Sequence, residues 1–156
     1  MGIRGSNTRI DDINDTPSEA AIRATIDARA EAVHAGDADA LIAAVADDVV
    51  TFDVVDPLRS TGKAATRQRA VEWVASYDGP IAGEDRGVQV AVDGNVGFSH
   101  DLSHVTGTLK TGSEVDMWFR TTLGVRRIGG RWLIVHDHGS DPFDPASGKA
   151  SLGLKP

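Results

Sequence analysis

Arg127-Ile128-Gly129-Gly130-Arg131-Trp132-Leu133-Ile134-Val135-His136-Asp137-His138-Gly139-Ser140 is the stretch whose reading decides the fold. Gly129-Gly130 separates two extended runs and reads as a tight turn. The strand after it opens on Trp132 and ends with two histidines two residues apart. Side chains alternate along a strand, so His136 and His138 share a face with Trp132 and Ile134. A face that starts apolar and ends in two imidazoles predicts a pocket with a dry floor and a polar rim.

Upstream, from Glu84 onward, the chain is strand and turn. Residues 88–92 and 96–108 are joined at Asp93-Gly94, and residues 115–128 follow after Thr111-Gly112. The first half is mostly helical. Thr16-Pro17-Ser18-Glu19 offers an N-cap, a proline at the first helical position and a glutamate three residues after the cap. Ile22, Ile26 and Val33 recur at helical spacing, and Gly36 ends that helix. Asp37 caps a second helix over 38–46, with Leu41, Ile42 and Val45 buried. A strand over 49–54, an irregular loop to Gly62 and a helix over 63–77 follow, the last burying Val71, Trp73 and Val74. Three helices with one strand, then a long meander, predict an α+β fold: a curved antiparallel sheet wrapped around three N-terminal helices. The domain spans residues 16–145, with an N-terminal arm at 1–15 and a tail at 146–156.

The 156 residues suffice for one domain with a sizeable core. A net charge of −7 leaves no basic stripe to neutralise phosphates, so nucleic acid is not an expected partner. Arg126, Arg127 and Arg131 bracket a turn and read as a solvated hairpin end. No apolar run approaches the ~20 residues that span a bilayer, and residues 1–15 lack the apolar core of a signal peptide. With no cysteine, disulfides and thiolate chemistry are excluded. The expected location is cytoplasmic.

Two-residue loops at Gly129-Gly130 and Thr111-Gly112 set a register. His136 then faces Leu123, which faces His100, and His138 faces Thr121. Phe98, Leu102, Met117, Phe119, Trp132 and Ile134 complete an apolar basin holding His100, His104, His136 and His138. Asp116, Trp118 and Arg120 point to the other face, toward a subunit interface. A single β-bulge would swap the faces.

These residues resemble the cone-shaped ketosteroid isomerase superfamily, also called nuclear-transport-factor-2-like or SnoaL-like. Residues 46–53, the loop to Gly62 and residues 127–140 carry the likeness. The second block is also similar to the association domain of calcium/calmodulin-dependent kinase, a non-catalytic assembly module. Asp116-Met117-Trp118-Phe119-Arg120, the His-acid-His strand and Pro142-Phe143-Asp144 match a bacterial SnoaL-like group of unassigned function. The resemblance implies a cone-shaped sheet. It also implies a catalytic base at Asp53, which stands nine residues before Gly62, the isomerase spacing. The isomerases carry a tyrosine on the first helix as oxyanion donor. That helix has none here, the chain's only tyrosine being Tyr77.

As a general base, Asp53 would be desolvated by Phe52, Val54 and Val55. The alternative is a loop-ordering aspartate that accepts backbone N–H bonds. His136, His138 and His100 can serve as acid, base or oxyanion donors, or be bonded structurally to backbone or Asp137. His-x-His on a strand is also a metal-ligand spacing, and His100-x-x-x-His104 would extend it, but no metal is expected. Asp116 and Arg120 can form an acid–arginine relay or an ion pair on a dimer face. Trp118, Phe119, Arg120, Asp116, Thr121 and Trp132 are the expected substrate-binding set, with the tail across the pocket mouth or a neighbouring subunit. The expectation is an acid/base enzyme of isomerase, lyase or cyclase type. It would need no cofactor, act on a small, mostly apolar carbonyl compound, and dimerise through its sheet face. The rival is a non-catalytic ligand-binding or oligomerisation module.

Overall fold

The computed structural model describes residues 16–156, so the arm at residues 1–15 lies outside the described residues. Thr16 starts α1 (Pro17–Ala35). Its hydroxyl accepts from the Glu19 N–H at 3.2 Å, and the Glu19 carboxylate accepts from the Thr16 N–H at 2.9 Å. This reciprocal cap contributes about 1 kcal/mol. Ile22 and Ile26 bury the inner face of α1. Helix α2 (Ala38–Leu41), capped by Asp37, is shorter than the alanine-rich sequence suggests. Val45 and Ala46 leave the helix for β1 (Val45–Phe52), where Val45 pairs with Ile134. Tertiary pairing overrides local helix propensity there. Strand β2 (Ser60–Thr61) and α3 (Lys63–Ala75) follow. Val71 is exposed on α3, while Trp73 packs edge-on against Tyr77.

The meander is β3 (Ala82–Asp93), β4 (Val96–Thr108), β5 (Glu114–Ile128) and β6 (Arg131–Ser140). One six-stranded sheet runs β2-β1-β6-β5-β4-β3. Its neighbours are antiparallel except β1 and β6, which are parallel. Strand β3 has a register shift between Arg86 and Gln89, where Gly87 takes a φ of 70° that a side chain would resist. A short hairpin, β7 (Phe143–Asp144) with β8 (Lys149–Ala150), closes the chain.

The core joins Ile22 and Ile26 of α1 to Ile42, Val45, Val49, Leu123, Val125, Trp132 and Ile134. A second cluster, Tyr77, Ile81 and Val105, fills the other end. A Cβ on Gly107 would lie 2.8 Å from two Tyr77 ring carbons. Gly107→Ala is therefore expected to cost about 1–3 kcal/mol through displaced packing, read as a lower urea midpoint with an unchanged slope.

Two one-residue offsets decide which way the sheet faces. The turn between β4 and β5 spans three residues, since the Leu109 N–H bonds to the Ser113 carbonyl and Thr108 pairs with Glu114. On β6, Val125 pairs with Ile134 but Gly124 pairs with His136, leaving Val135 as an unpaired bulge. Each offset exchanges the two faces. His100 still shares a face with His136 and His138, but its partner is Thr122 rather than Leu123. That face is the outer one, and it also carries Trp118 and Arg120. The inner face, toward α1, carries Asp101, Ser103, Phe119, Thr121 and Asp137.

Candidate functional site

Polar groups gather in the hollow of the curved sheet, on the face turned toward α1. Asp101 and Ser103 come from β4, Thr121 from β5, Asp137 from β6, Asp85 from β3 and Arg29 from α1. Thr121 stands opposite Asp101, Asp85 opposite Ser103, and Gly139 opposite Thr121. Arg29 Nη2 donates to Asp137 Oδ2 at 2.7 Å. Their side chains keep 28% and 22% exposure although they lie between helix and sheet, so water reaches the hollow. Val54 and Phe119 lean over Gly139 and supply an apolar wall; a Cβ on Gly139 would meet Val54 Cγ1 at 3.1 Å.

Asp101 is 7% exposed. Ser103 Oγ donates to its Oδ2 at 2.8 Å. Ser103 and Thr121 hydroxyls lie 2.7 Å apart. With the Ser103 proton spent on the carboxylate, Thr121 donates in that pair. Burial is the main cause that pushes the Asp101 carboxyl up to about 6, with the charge of Asp85 adding and Ser103, Arg29 opposing. Burial raises Asp85 as well. A carboxyl poised there exchanges a proton near neutral pH, and the hydroxyl chain reverses direction when it does. Ser99 Oγ, two residues away on the same face, is buried with no hydrogen-bond partner among the described residues.

The expected site residues separate across the sheet. Phe119 and Thr121 line the hollow, and Trp132 belongs to the apolar core. Asp53 is exposed at the end of β1 rather than desolvated. Its Oδ1 accepts from the Val54 N–H at 2.7 Å and its Oδ2 from Arg69 at 2.9 Å. His136 is bonded through Nδ1 to the Val50 carbonyl at 2.8 Å. Phe52 meets the His136 and His138 rings edge-on, at 4.8 and 5.5 Å between centroids. The structure thus groups His136 and His138 with Phe52 on the outer face and takes Asp53 to a surface ion pair. His100 is stacked near Phe98 on that same outer face. Trp118 is sandwiched there between His104, 4.3 Å away, and the Arg86 guanidinium at 4.5 Å. Asp116 accepts from His104 at 2.8 Å and from the tail's Lys155 at 3.1 Å, so the tail's end lies against β5. Asp116 and Arg120 do not pair: Arg120 Nε reaches the Ser140 carbonyl instead.

Asp101, Ser103 and Arg29 were not among the sequence candidates. The signal is Ser99-x-Asp101-x-Ser103-x-Val105, small polar residues alternating with the larger Phe98, His100, Leu102 and His104. Among the described residues, no group of three or more His, Asp or Glu side chains is placed to hold a metal ion. No helix among them is long and apolar enough to cross a membrane. Surface grooves of about 410 and 220 Å³ lie away from Asp101, the first lined by Asp47, Lys63, Ile128 and Arg131, the second by α1 and α2 alanines with Arg29 at its edge.

A curved sheet closed over an N-terminal helix, with a polar hollow between them, is the architecture of the nuclear-transport-factor-2-like class. The chain belongs to the SnoaL-like domain family, whose pattern matches residues 22–144. It is 32% identical to an NTF2-like protein of unknown function from Pseudomonas putida KT2440, with a TM-score of 0.81 over 89% of this chain and 96% of that one. A ketosteroid isomerase-like protein from Erwinia carotovora atroseptica SCRI1043 superposes with a TM-score of 0.68 at 23% identity, covering 80% of this chain and 96% of that one. An NTF2-like protein with a cystatin-like fold from Novosphingobium aromaticivorans gives 0.64 at 21%, covering 83% and 84%. These last two likenesses concern the fold alone. No curated protein matches the chain.

Proposed function

We propose that this protein is an acid/base enzyme of isomerase, lyase or cyclase type, working in the inner hollow on a small, mostly apolar carbonyl compound. The observation that carries this reading is Asp101: enclosed, raised to about 6, and wired to Ser103 and Thr121. Its ionised carboxylate takes a proton from the carbon beside the carbonyl. Arg29 spends one donor on Asp137 and has others to offer the developing oxyanion. Val54 and Phe119 provide the apolar seat. No cofactor is required for these steps.

The test is deuterium exchange. The protein is incubated in D2O with a panel of small ketones, and loss of the α-proton signals is followed by NMR. Accelerated exchange of at least one ketone supports the reading. Asp101→Asn is expected to abolish it and Asp53→Asn to leave it. Exchange that survives Asp101→Asn but dies in Asp53→Asn would return the base to the end of β1.

We also infer a homodimer through the outer sheet face. Phe52, Phe98 and Leu102 remain 38%, 50% and 36% exposed there, an unusual surface for a sheet facing water. Phe98→Glu is expected to convert a dimer to a monomer in sedimentation without loss of secondary structure. A wild type that sediments as a monomer at micromolar concentration contradicts the inference.

A further inference from the structure

We propose that the outer-face dimer is a pH-sensitive assembly that comes apart on mild acidification, with His100 and His138 as its sensors. This rests on the homodimer inferred above. A second copy fits the face by size. Five neighbouring strands and four side-chain rows outline about 24 by about 27 Å, or about 650 Å², near the about 800 Å² that each partner of a stable dimer covers. Phe98 and Leu102 from β4 and Phe52 from β1 are exposed across that area.

Of the chain's five histidines, all but His34 stand on this one face. Strand pairing sets Gln89, His100, Thr122, His138 and Phe52 in a single row across five strands. His100 and His138 are exposed in the single chain, so water receives their protons there. His136 is already half-buried, its Nδ1 donating to the Val50 carbonyl. His104 has its charge met within its own chain, by Glu84 at 3.4 Å and Asp116 at 2.8 Å. Among the described residues, no carboxylate pairs with His100 or His138. The acids beside them in sequence are turned away or taken: Asp101 and Asp137 alternate onto the inner face, and Arg69 holds Asp53.

The groups facing His100 are Phe98, stacked at 6.4 Å, Gln89 from β3 and Thr122 from β5. Those facing His138 are Phe52 from β1 at 5.5 Å, His136 at 6.0 Å and Thr122. The charged side chains of the adjoining rows are Arg86 and Arg120, both cations. A two-fold interface brings this same patch from both sides. Once covered, a protonated His100 or His138 is a cation taken out of water with no counter-ion and with like charges opposite. The separated chain therefore binds protons that the dimer excludes, and affinity falls as pH drops through the histidine range. The charge of the whole chain pulls the other way. Its net −7 at pH 7 shrinks toward zero near pH 5.1, which favours association. Asp101, titrating at about 6 on the inner face, likewise only loses negative charge. Dissociation in acid thus singles out the outer histidines.

The experiment is sedimentation equilibrium of the full chain at about pH 7.5, about pH 6.5 and about pH 5.5 at one ionic strength, with far-ultraviolet circular dichroism at each pH. The expected result is a dimer whose Kd rises at least about 100-fold from the highest pH to the lowest, with the dichroism unchanged. The double variant His100→Gln, His138→Gln should dimerise at the highest pH and change its Kd less than about threefold over the range. If the double variant does not dimerise, the single variants carry the test: each should about halve the slope of log Kd against pH. An undiminished slope in both overturns the inference. A wild-type Kd that holds or tightens on acidification overturns it too and leaves the dimer standing. So does a double variant that dissociates as the wild type does, or dissociation that comes only with loss of the dichroism. A wild type that is monomeric at the highest pH removes the dimer, and the inference falls with it.

Discussion

Asp101→Asn should lower ketone α-proton exchange by a factor of about 10²–10⁴, the usual contribution of a positioned general base, while making the fold more stable at neutral pH. The two effects share one cause. Folding raises the Asp101 carboxyl from the ordinary aspartate range to about 6. That rise corresponds to about 3 kcal/mol against the ionised form. Between about pH 4 and pH 6 the native state therefore binds the proton that the unfolded chain has lost, and stability falls as pH rises through that window. Above it the whole cost stands; below it the cost vanishes. Asparagine fills the same volume, accepts from Ser103 and carries no charge. Urea midpoints measured at about pH 5 and about pH 7.5 should show the variant gaining on the wild type at both, by about half as much at the lower pH. Asp85 has the same sign but remains in both proteins. If wild type and variant run parallel with pH, Asp101 is not the group that folding perturbs.

Inserting an alanine between His136 and Asp137 should be more damaging than any single core truncation. Val135 is the extra residue of β6, and it lets Ile134 and Asp137 both face inward although they stand three positions apart. With the bulge kept and one more residue after His136, simple alternation would send Asp137 outward and drive His138 into the interior. Arg29 would lose its 2.7 Å partner. A cost above about 4 kcal/mol is expected, in the range reserved for broken buried networks. Val135→Ala, which keeps the bulge and trims only a half-buried side chain, should cost about 1 kcal/mol. Chemical denaturation of the two variants makes the comparison. Equal, mild losses would mean that β6 tolerates either register.

The elements were legible in the chain because their signals are local. The Thr16 capping box, the Gly129-Gly130 turn and the limits of β4 all appear where the sequence predicts them. The orientation of the sheet was not legible, because it depends on parity. Leu133-Ile134-Val135 reads as unbroken strand, and no glycine or proline announces a bulge within it. Thr111-Gly112 suggests a two-residue turn where Lys110 makes a third. Either offset alone would have scrambled the faces of neighbouring strands. Together they keep the histidines on one side but turn that side outward. Apolar residues added to the confusion: Phe98 and Leu102 look like core, yet the core side of β4 carries Ser99, Asp101 and Ser103. A rule that puts greasy faces inside fails where a protein keeps one for another surface. For Asp53 the sequence leaves two readings, a desolvated base or a loop-ordering carboxylate, and the geometry is that of the second. The resemblance supplied a position, but Arg69 and the Val54 N–H hold the carboxylate at the surface, and those partners come from α3 and the loop.

The parallel pairing of β1 with β6 bears on how the chain reaches its native state. The meander from β3 to β6 is made of hairpins whose partners are close in sequence, so its contacts form with little loss of chain freedom. The bond from His136 to Val50 spans 86 residues. Closing so long a loop costs more, and non-local parallel pairing is slow to form. Arg29 depends on the same late event, because α1 must dock on a finished sheet before its guanidinium reaches Asp137. The hollow is thus expected to be the last part assembled and the first to open, and its occupant would act on the slow step of unfolding rather than on the hairpins.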